Sequence, residues 1–144
     1  MEKLHQKLAR IAESWPEDSF HSHQEIAAIL EISKDDSKYH STISQARKIL
    51  LRKRILWKVV KDGGYRVCLP DEWAAAVRGG IMGAARRMRM AENIDNAAPV
   101  ERMSEDGKRR HTNLSDRLRV HAAMMGGVVK EIRMLADPKI KMTR

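Results

Sequence analysis

Ser37, Ser41, Gln45, Lys48 and Arg52 lie three or four residues apart in a stretch whose apolar residues, Tyr39, Ile43, Ala46 and Leu50, recur at four, three and four. At 100° per residue this spacing predicts a helix from about Ser37 to Arg54, with the two sets on opposite faces. The polar face is uniform in chemistry. A glutamine amide presents a donor and an acceptor side by side. Lysine and arginine donate hydrogen bonds and neutralise anions, and serines keep the surface low. Lys38 and His40 flank the same face. The spacing pairs no nucleophile with a base and gathers no set of metal ligands; the chemistry of this face is recognition of an extended anion.

Other reactive side chains do not assemble in the sequence. The six histidines include His21 and His23 beside a helix cap and His121 on an apolar stripe, with no second ligand type at metal-binding spacing. The single cysteine, Cys68, sits among bulky apolar neighbours and reads as a packed small side chain. No Ser/His/Asp order, paired carboxylates with a plausible pocket or phosphate-cradling glycine pattern is present. The expectation is a non-enzyme with no cofactor and no metal.

Charge sharpens the first observation. The chain of 144 residues carries 28 basic and 19 acidic side chains. Residues 1–36 hold four basic and eight acidic groups, whereas residues 37–66 hold nine basic and one acidic. Positive charge concentrated in thirty residues points to a polyanion, because a surface serving solubility alone mixes the signs.

The elements that position this stretch follow from periodicity. Leu4, Leu8, Ile11 and Trp15 predict an amphipathic helix over 3–15, ended by Pro16. Glu17–His21 reads as a connection. Ser22-His23-Gln24-Glu25 has the form of a capping box, with Glu25 reaching back to Ser22, and opens a helix that buries Ile26, Ile29 and Leu30. Ser33–Asp36 is a turn, with Asp35, Asp36 or Ser37 as the next N-cap. After Arg54 the period becomes two. Ile55–Lys61 and Tyr65–Leu69 predict two strands joined at Asp62-Gly63-Gly64, with Trp57, Val59, Tyr65, Val67 and Leu69 on one side and Lys58 and Arg66 on the other.

The order helix, helix, turn, helix, hairpin over residues 3–70 resembles the winged helix-turn-helix superfamily. The fold class is therefore mainly α with a small β-hairpin, a winged helix-turn-helix followed by C-terminal helices. The resemblance implies a third helix in the DNA major groove, with Ser37, Ser41, Gln45 and Lys48 as readers and Arg52 toward a phosphate. It assigns Lys58, Lys61 and Arg66 to the wing. The residue chemistry agrees: the groove admits one α-helix, glutamine pairs bidentately with adenine and lysine donates to guanine. Lysines and arginines outside the groove supply sequence-independent affinity by releasing counterions. Superfamily members of this size act as transcriptional regulators or origin-binding factors, often on mobile elements. RNA is disfavoured, because the few aromatic residues fall on core-facing positions.

Residues 71–144 resemble no known family. A connecting helix is expected over 71–92, a linker over 93–112 and a last helix over 113–136 within a segment 113–144, followed by a basic tail. Its apolar stripe, Leu114, Leu118, His121, Met125, Val128, Ile132 and Leu135, makes Leu118, Met125, Val128, Ile132 and Leu135 candidates for oligomerisation, since an isolated helix needs a packing partner. A homodimer is expected. The competing reading is a protein-interaction module of a replication, transcription or virion assembly that uses the Met-rich helices of residues 71–144. The segment Gly83–Met90 echoes Gly127–Met134 in the pattern G-x-x-[RK]-x-[MI]-R-M. No apolar run approaches a membrane span, so no membrane partner is expected and the protein is placed in the cytoplasm or on the nucleoid.

Overall fold

The protein is seen in a computed structural model that describes residues 1–136. Asp137, Pro138 and the basic tail Lys139–Arg144 lie outside the described residues. The chain forms two compact units, Met1–Trp73 and a second beginning at Ala74. The protein is mainly helical, with one small three-stranded antiparallel sheet.

The first unit runs α1 (Leu4–Ala12), β1 (Phe20–Ser22), α2 (His23–Leu30), α3 (Ser37–Arg52), β2 (Trp57–Val60) and β3 (Gly64–Val67). Leu8, Ile26, Leu30, Tyr39, Ile43 and Leu50 are almost wholly removed from water, and Ala9, Ala12 and Ala46 let the helices approach closely around them. Burying each large side chain contributes about 1.5–3 kcal/mol. Leu4, Trp15, Ile29, Ile49 and Ile55 close the edges of this core. Asp36 caps α3, its Oδ1 accepting the Lys38 amide at 2.8 Å. Glu31 ends α2 in the left-handed conformation (φ 57°), which starts the turn toward α3.

Three expectations change in this unit. Helix α1 stops at Ala12, and Trp15 packs from the turn beyond it. Phe20–Ser22 is a strand rather than a connection. It pairs with β3, so the sheet has the order β1-β3-β2 and β3 is central. Three residues are too few to display a period of two, and the pairing partner lies more than forty residues away. The Ser22 hydroxyl does accept the Glu25 amide at 3.0 Å, but the Glu25 carboxylate turns to His21 Nδ1, also at 3.0 Å, instead of closing a capping box.

The predicted hairpin forms, over the shorter spans Trp57–Val60 and Gly64–Val67. Trp57 faces Val67 and Val59 faces Tyr65 in register, with Lys58 and Arg66 opposed on the other side. Trp57, Tyr65 and Val67 are buried, whereas Val59 is exposed and Leu69, beyond the end of β3, is exposed as well.

The second unit is a helical hairpin. Helix α4 spans Trp73–Ala97, and a short turn of 3₁₀ helix at Val100–Arg102 leads into α5, Glu105–Ala136. The twenty-residue linker expected over 93–112 therefore shrinks to residues 98–104, because α4 continues through 93–97 and α5 already covers 105–112. Pro99 interrupts the helix, and Ser104 restarts it by accepting the Gly107 amide at 3.0 Å, with Glu105 and Asp106 in the favourable first turn. The sequence concealed this because the seam is polar there: Asp95, His111 and Ser115 occupy positions where an apolar residue would have marked a helix.

Packing between α4 and α5 uses one face of each. Ile81, Ala85, Met88, Glu92 and Asp95 are covered on α4, and His111, Ser115, Leu118, Ala122, Met125, Val129 and Ile132 on α5. Both series advance by alternate threes and fours, which keeps each on one face of its helix. A cavity of about 280 Å³ remains between Met88 and Glu92 on one helix and Ala122, Met125 and Val129 on the other. The echoed segments lie in the same phase: Ala85 and Met88 of one correspond to Val129 and Ile132 of the other, all on the seam.

Candidate nucleic-acid interface

The outward face of α3 is built by the helix's own core. Tyr39, Ile43, Ala46 and Leu50 are held inward, which fixes the rotation of the helix and turns Ser37, Lys38, His40, Ser41, Gln45, Lys48 and Arg52 to solvent. Tyr39 is the pivot. Its hydroxyl donates to the His23 carbonyl at 3.2 Å and stands 3.0 Å from His23 Nδ1, tying α3 to the start of α2. Burial pushes its phenol up to about 12. Ser44, also exposed, belongs to the same polar surface and escaped the sequence reading, since it lies between the two rows singled out.

Among the described residues, Lys38, Lys48 and Arg52 take part in no ion pair, and no acidic side chain occurs from Ser37 to Lys61. Ser41 Oγ donates to the Lys38 carbonyl at 3.0 Å, a contact easily exchanged for an external acceptor. The hairpin adds Lys58 and Lys61, both exposed. Asp62 makes its turn in the left-handed region (φ 59°). The Gly63 carbonyl accepts the His23 amide at 3.0 Å, which brings the hairpin turn against the start of α2. A groove of about 530 Å³ follows, lined by Ser22, His23, Gln24, Ala27, Lys34, Asp62 and Gly63. Lys34 thus joins the rim of this surface. The sequence placed it in a turn and gave it no role.

Arg66 is committed within the fold. It lies on the central strand, its Nη1 2.6 Å from Asp18 Oδ1 and 3.1 Å from Glu72 Oε2, and its Nη2 also bonds Glu72 Oε1. Glu72 further accepts the Leu69 amide at 2.8 Å. The Arg66 guanidinium, with help from that amide, holds the Glu72 carboxyl below its ordinary range. Arg66 stands on the hairpin opposite Lys58, as expected, but three of its five N–H groups are spent on two carboxylates, which already match its charge. Two further cations of the basic segment are likewise committed. Arg47 donates to the Trp57 carbonyl at 3.0 Å and lies over the Tyr65 ring, and Lys53 pairs with Glu13.

One arrangement invisible in the sequence has the order of a hydrolase triad. Ser19 Oγ lies 2.8 Å from His21 Nε2, and His21 Nδ1 lies 3.0 Å from Glu25 Oε1. Ser19 Oγ, however, also stands 2.6 Å from the Pro16 carbonyl oxygen. The single Ser19 proton has two acceptors within reach, the Pro16 carbonyl and the imidazole. Trp15 stacks on His21 with ring centroids 3.5 Å apart. The set is a clasp that joins the turn before β1 to α2. Burial raises the Cys68 thiol above its usual range, with Glu72 adding to the effect, so the reactive thiolate is disfavoured.

The expected oligomerisation residues divide. Leu118, Met125 and Ile132 are half-buried on the α4–α5 seam, whereas Val128 and Leu135 are 41% and 73% exposed. Leu114 and His121, from the same predicted stripe, are exposed as well. The stripe was therefore two faces read as one. Among the described residues no cluster of three metal-ligating side chains forms, and no helix is long and apolar enough to cross a membrane. Comparison with protein-family models, with curated proteins and with solved structures finds no match.

Proposed function

We propose that the first unit is a winged helix-turn-helix that binds double-stranded DNA at specific sites, with α3 in the major groove and the β2–β3 hairpin as the wing. The observation that carries this reading is the outward face of α3: exposed, free of acids, and bearing Ser37, Lys38, His40, Ser41, Gln45, Lys48 and Arg52. The element order α1-β1-α2-α3-β2-β3 and the sheet order β1-β3-β2 support it, because they leave α3 uncovered beside the hairpin. Gln45 and Lys48 would read base edges, and Lys38, Arg52, Lys58 and Lys61 would meet phosphates. The protein would act as a transcriptional regulator or origin-binding factor, as a homodimer on two half-sites related by dyad symmetry. The test is selection of the purified full chain on a fragment library of its own genome, followed by footprinting at about physiological salt. Enrichment of discrete sites is expected; recovery indistinguishable from random DNA rejects site specificity.

A second reading has its own observation. Met90 and Ile94 on α4 are 63% and 70% exposed. In that reading the helical hairpin docks on a larger assembly and the first unit is scaffold. Reversing charge at Lys48 and Arg52 would then leave function intact, whereas Met90→Glu with Ile94→Glu would abolish it.

A further inference from the structure

Helix α5 carries a second repeat that its packing against α4 leaves uncovered. Leu114, His121, Val128 and Leu135 recur every seven residues, with Arg117, Met124 and Glu131 between them at threes and fours. All seven are exposed, Leu114 at 68%, Met124 at 64% and Leu135 at 73%. The stripe runs about 32 Å along a continuous helix, and a strict heptad of this kind is the pattern by which one helix packs on another. On a wheel it lies beside the α4 seam, so α4 and another helix can be accommodated together.

The order of residues along the stripe says which helix. Take Met124 as the midpoint. Arg117 is seven residues before it and Glu131 seven after. His121 and Val128 stand three before and four after; Leu114 and Leu135 stand ten before and eleven after. A copy of the same stripe laid antiparallel about a two-fold axis at Met124 therefore matches leucine to leucine, histidine to valine, methionine to methionine and arginine to glutamate. Both charged residues of the stripe are neutralised, twice over, by symmetry. Among the described residues neither Arg117 nor Glu131 has an ion-pair partner within its own chain. An isologous dimer requires a patch that is complementary to itself under a two-fold rotation, and this one is.

We propose that the chain self-associates through this outer stripe of α5, antiparallel about Met124, and not through the Leu118–Met125–Ile132 face that α4 occupies. The inference rests on the homodimer of the proposed function and names its surface. Sedimentation or light scattering of the full chain is expected to show a dimer. Arg117→Glu and Glu131→Arg should each weaken it by about tenfold or more, since each sets two like charges together. The combined R117E/E131R chain should recover the dimer. Met124→Cys should give a covalent dimer on mild oxidation, and the parent chain, whose one cysteine is the buried Cys68, should not. Circular dichroism confirms that each variant keeps its helices. A parent chain that stays monomeric overturns the stripe and the homodimer together. A dimer indifferent to both single reversals, or not restored by the double one, overturns the stripe alone and leaves the homodimer standing.

Discussion

Arg66 grips Glu72 with two guanidinium nitrogens, across six residues of chain, from the middle strand of the sheet to the turn before α4. The same arginine reaches Asp18 ahead of β1, so one side chain fastens both ends of the sheet region.

Glu72 is the acid-sensitive member of this set. Its carboxyl is lowered from 4.5 by the Arg66 hydrogen bonds first and the Leu69 amide second. A carboxylate with a lowered folded-state value contributes stability that is fully present above its unfolded value and is lost as pH falls through the folded one. Glu72→Gln is expected to lower the denaturation midpoint at neutral pH. The gap from the parent should begin to narrow as pH falls below about 4.3, the unfolded-state value, and close once the folded-state carboxyl is protonated as well. Denaturant titrations of both proteins across this range check the prediction; a gap independent of pH would reject it.

Tyr39 gives the opposite limb. Its phenol is raised from 10.0 to about 12, mainly by burial. A raised acid favours the folded state while it stays protonated, so this contribution declines as pH climbs from 10 toward 12. Absorbance near 295 nm of a Tyr65→Phe chain, which retains only Tyr39, should show phenolate appearing near pH 12 or together with unfolding. Tyr39→Phe removes the bond to the His23 carbonyl and should cost about 1 kcal/mol at neutral pH.

On DNA, α3 and the hairpin should separate by phenotype. Gln45→Ala and Lys48→Ala are expected to cost about 1–3 kcal/mol at the preferred site and to relax selectivity there. Lys58→Ala and Lys61→Ala should weaken all sequences alike and reduce the salt slope by about one each. Arg66→Ala should lower the melting temperature yet leave that slope unchanged, because its charge is already paired with acids. Titrations at several salt concentrations, on specific and random duplexes, distinguish these outcomes.

Two glycines should respond in opposite directions. Gly64 has φ +150°, and a Cβ there would fall 2.1 Å from the His21 carbonyl oxygen, inside the β1–β3 pairing. Gly64→Ala is expected to cost about 3 kcal/mol or more, since backbone on both strands must move. Gly127, within α5, has nothing within 4 Å of where its Cβ would be. Gly127→Ala should stabilise the helix by roughly 1 kcal/mol. Thermal melts of the two variants test both signs.

Much of the first unit was legible because its signals are local. The phase of α3 follows from Tyr39, Ile43, Ala46 and Leu50, and the caps at Ser22 and Asp36 act within three residues. The hairpin shows as a change of period around Gly63-Gly64. What escaped was short or polar. Strand β1 has three residues, and the start of α5 carries charged residues outside and a histidine and serine on its seam. Periodicity of apolar groups has nothing to register in either place.

The sequence by itself determined which residues share a face of α3 and where positive charge is concentrated, because both depend on neighbours one or two helical turns apart. Only the tertiary structure decided which of those charges are free. Arg66 meets Asp18 from 48 residues away and Lys53 meets Glu13 from 40, so these two cations of the basic segment are already paired with acids, whereas Lys48 and Arg52 are not. It also divided the α5 stripe into a covered face and an open one. A heptad read along one helix gives the width of its apolar surface, but which strip of that surface is occupied depends on where α4 returns.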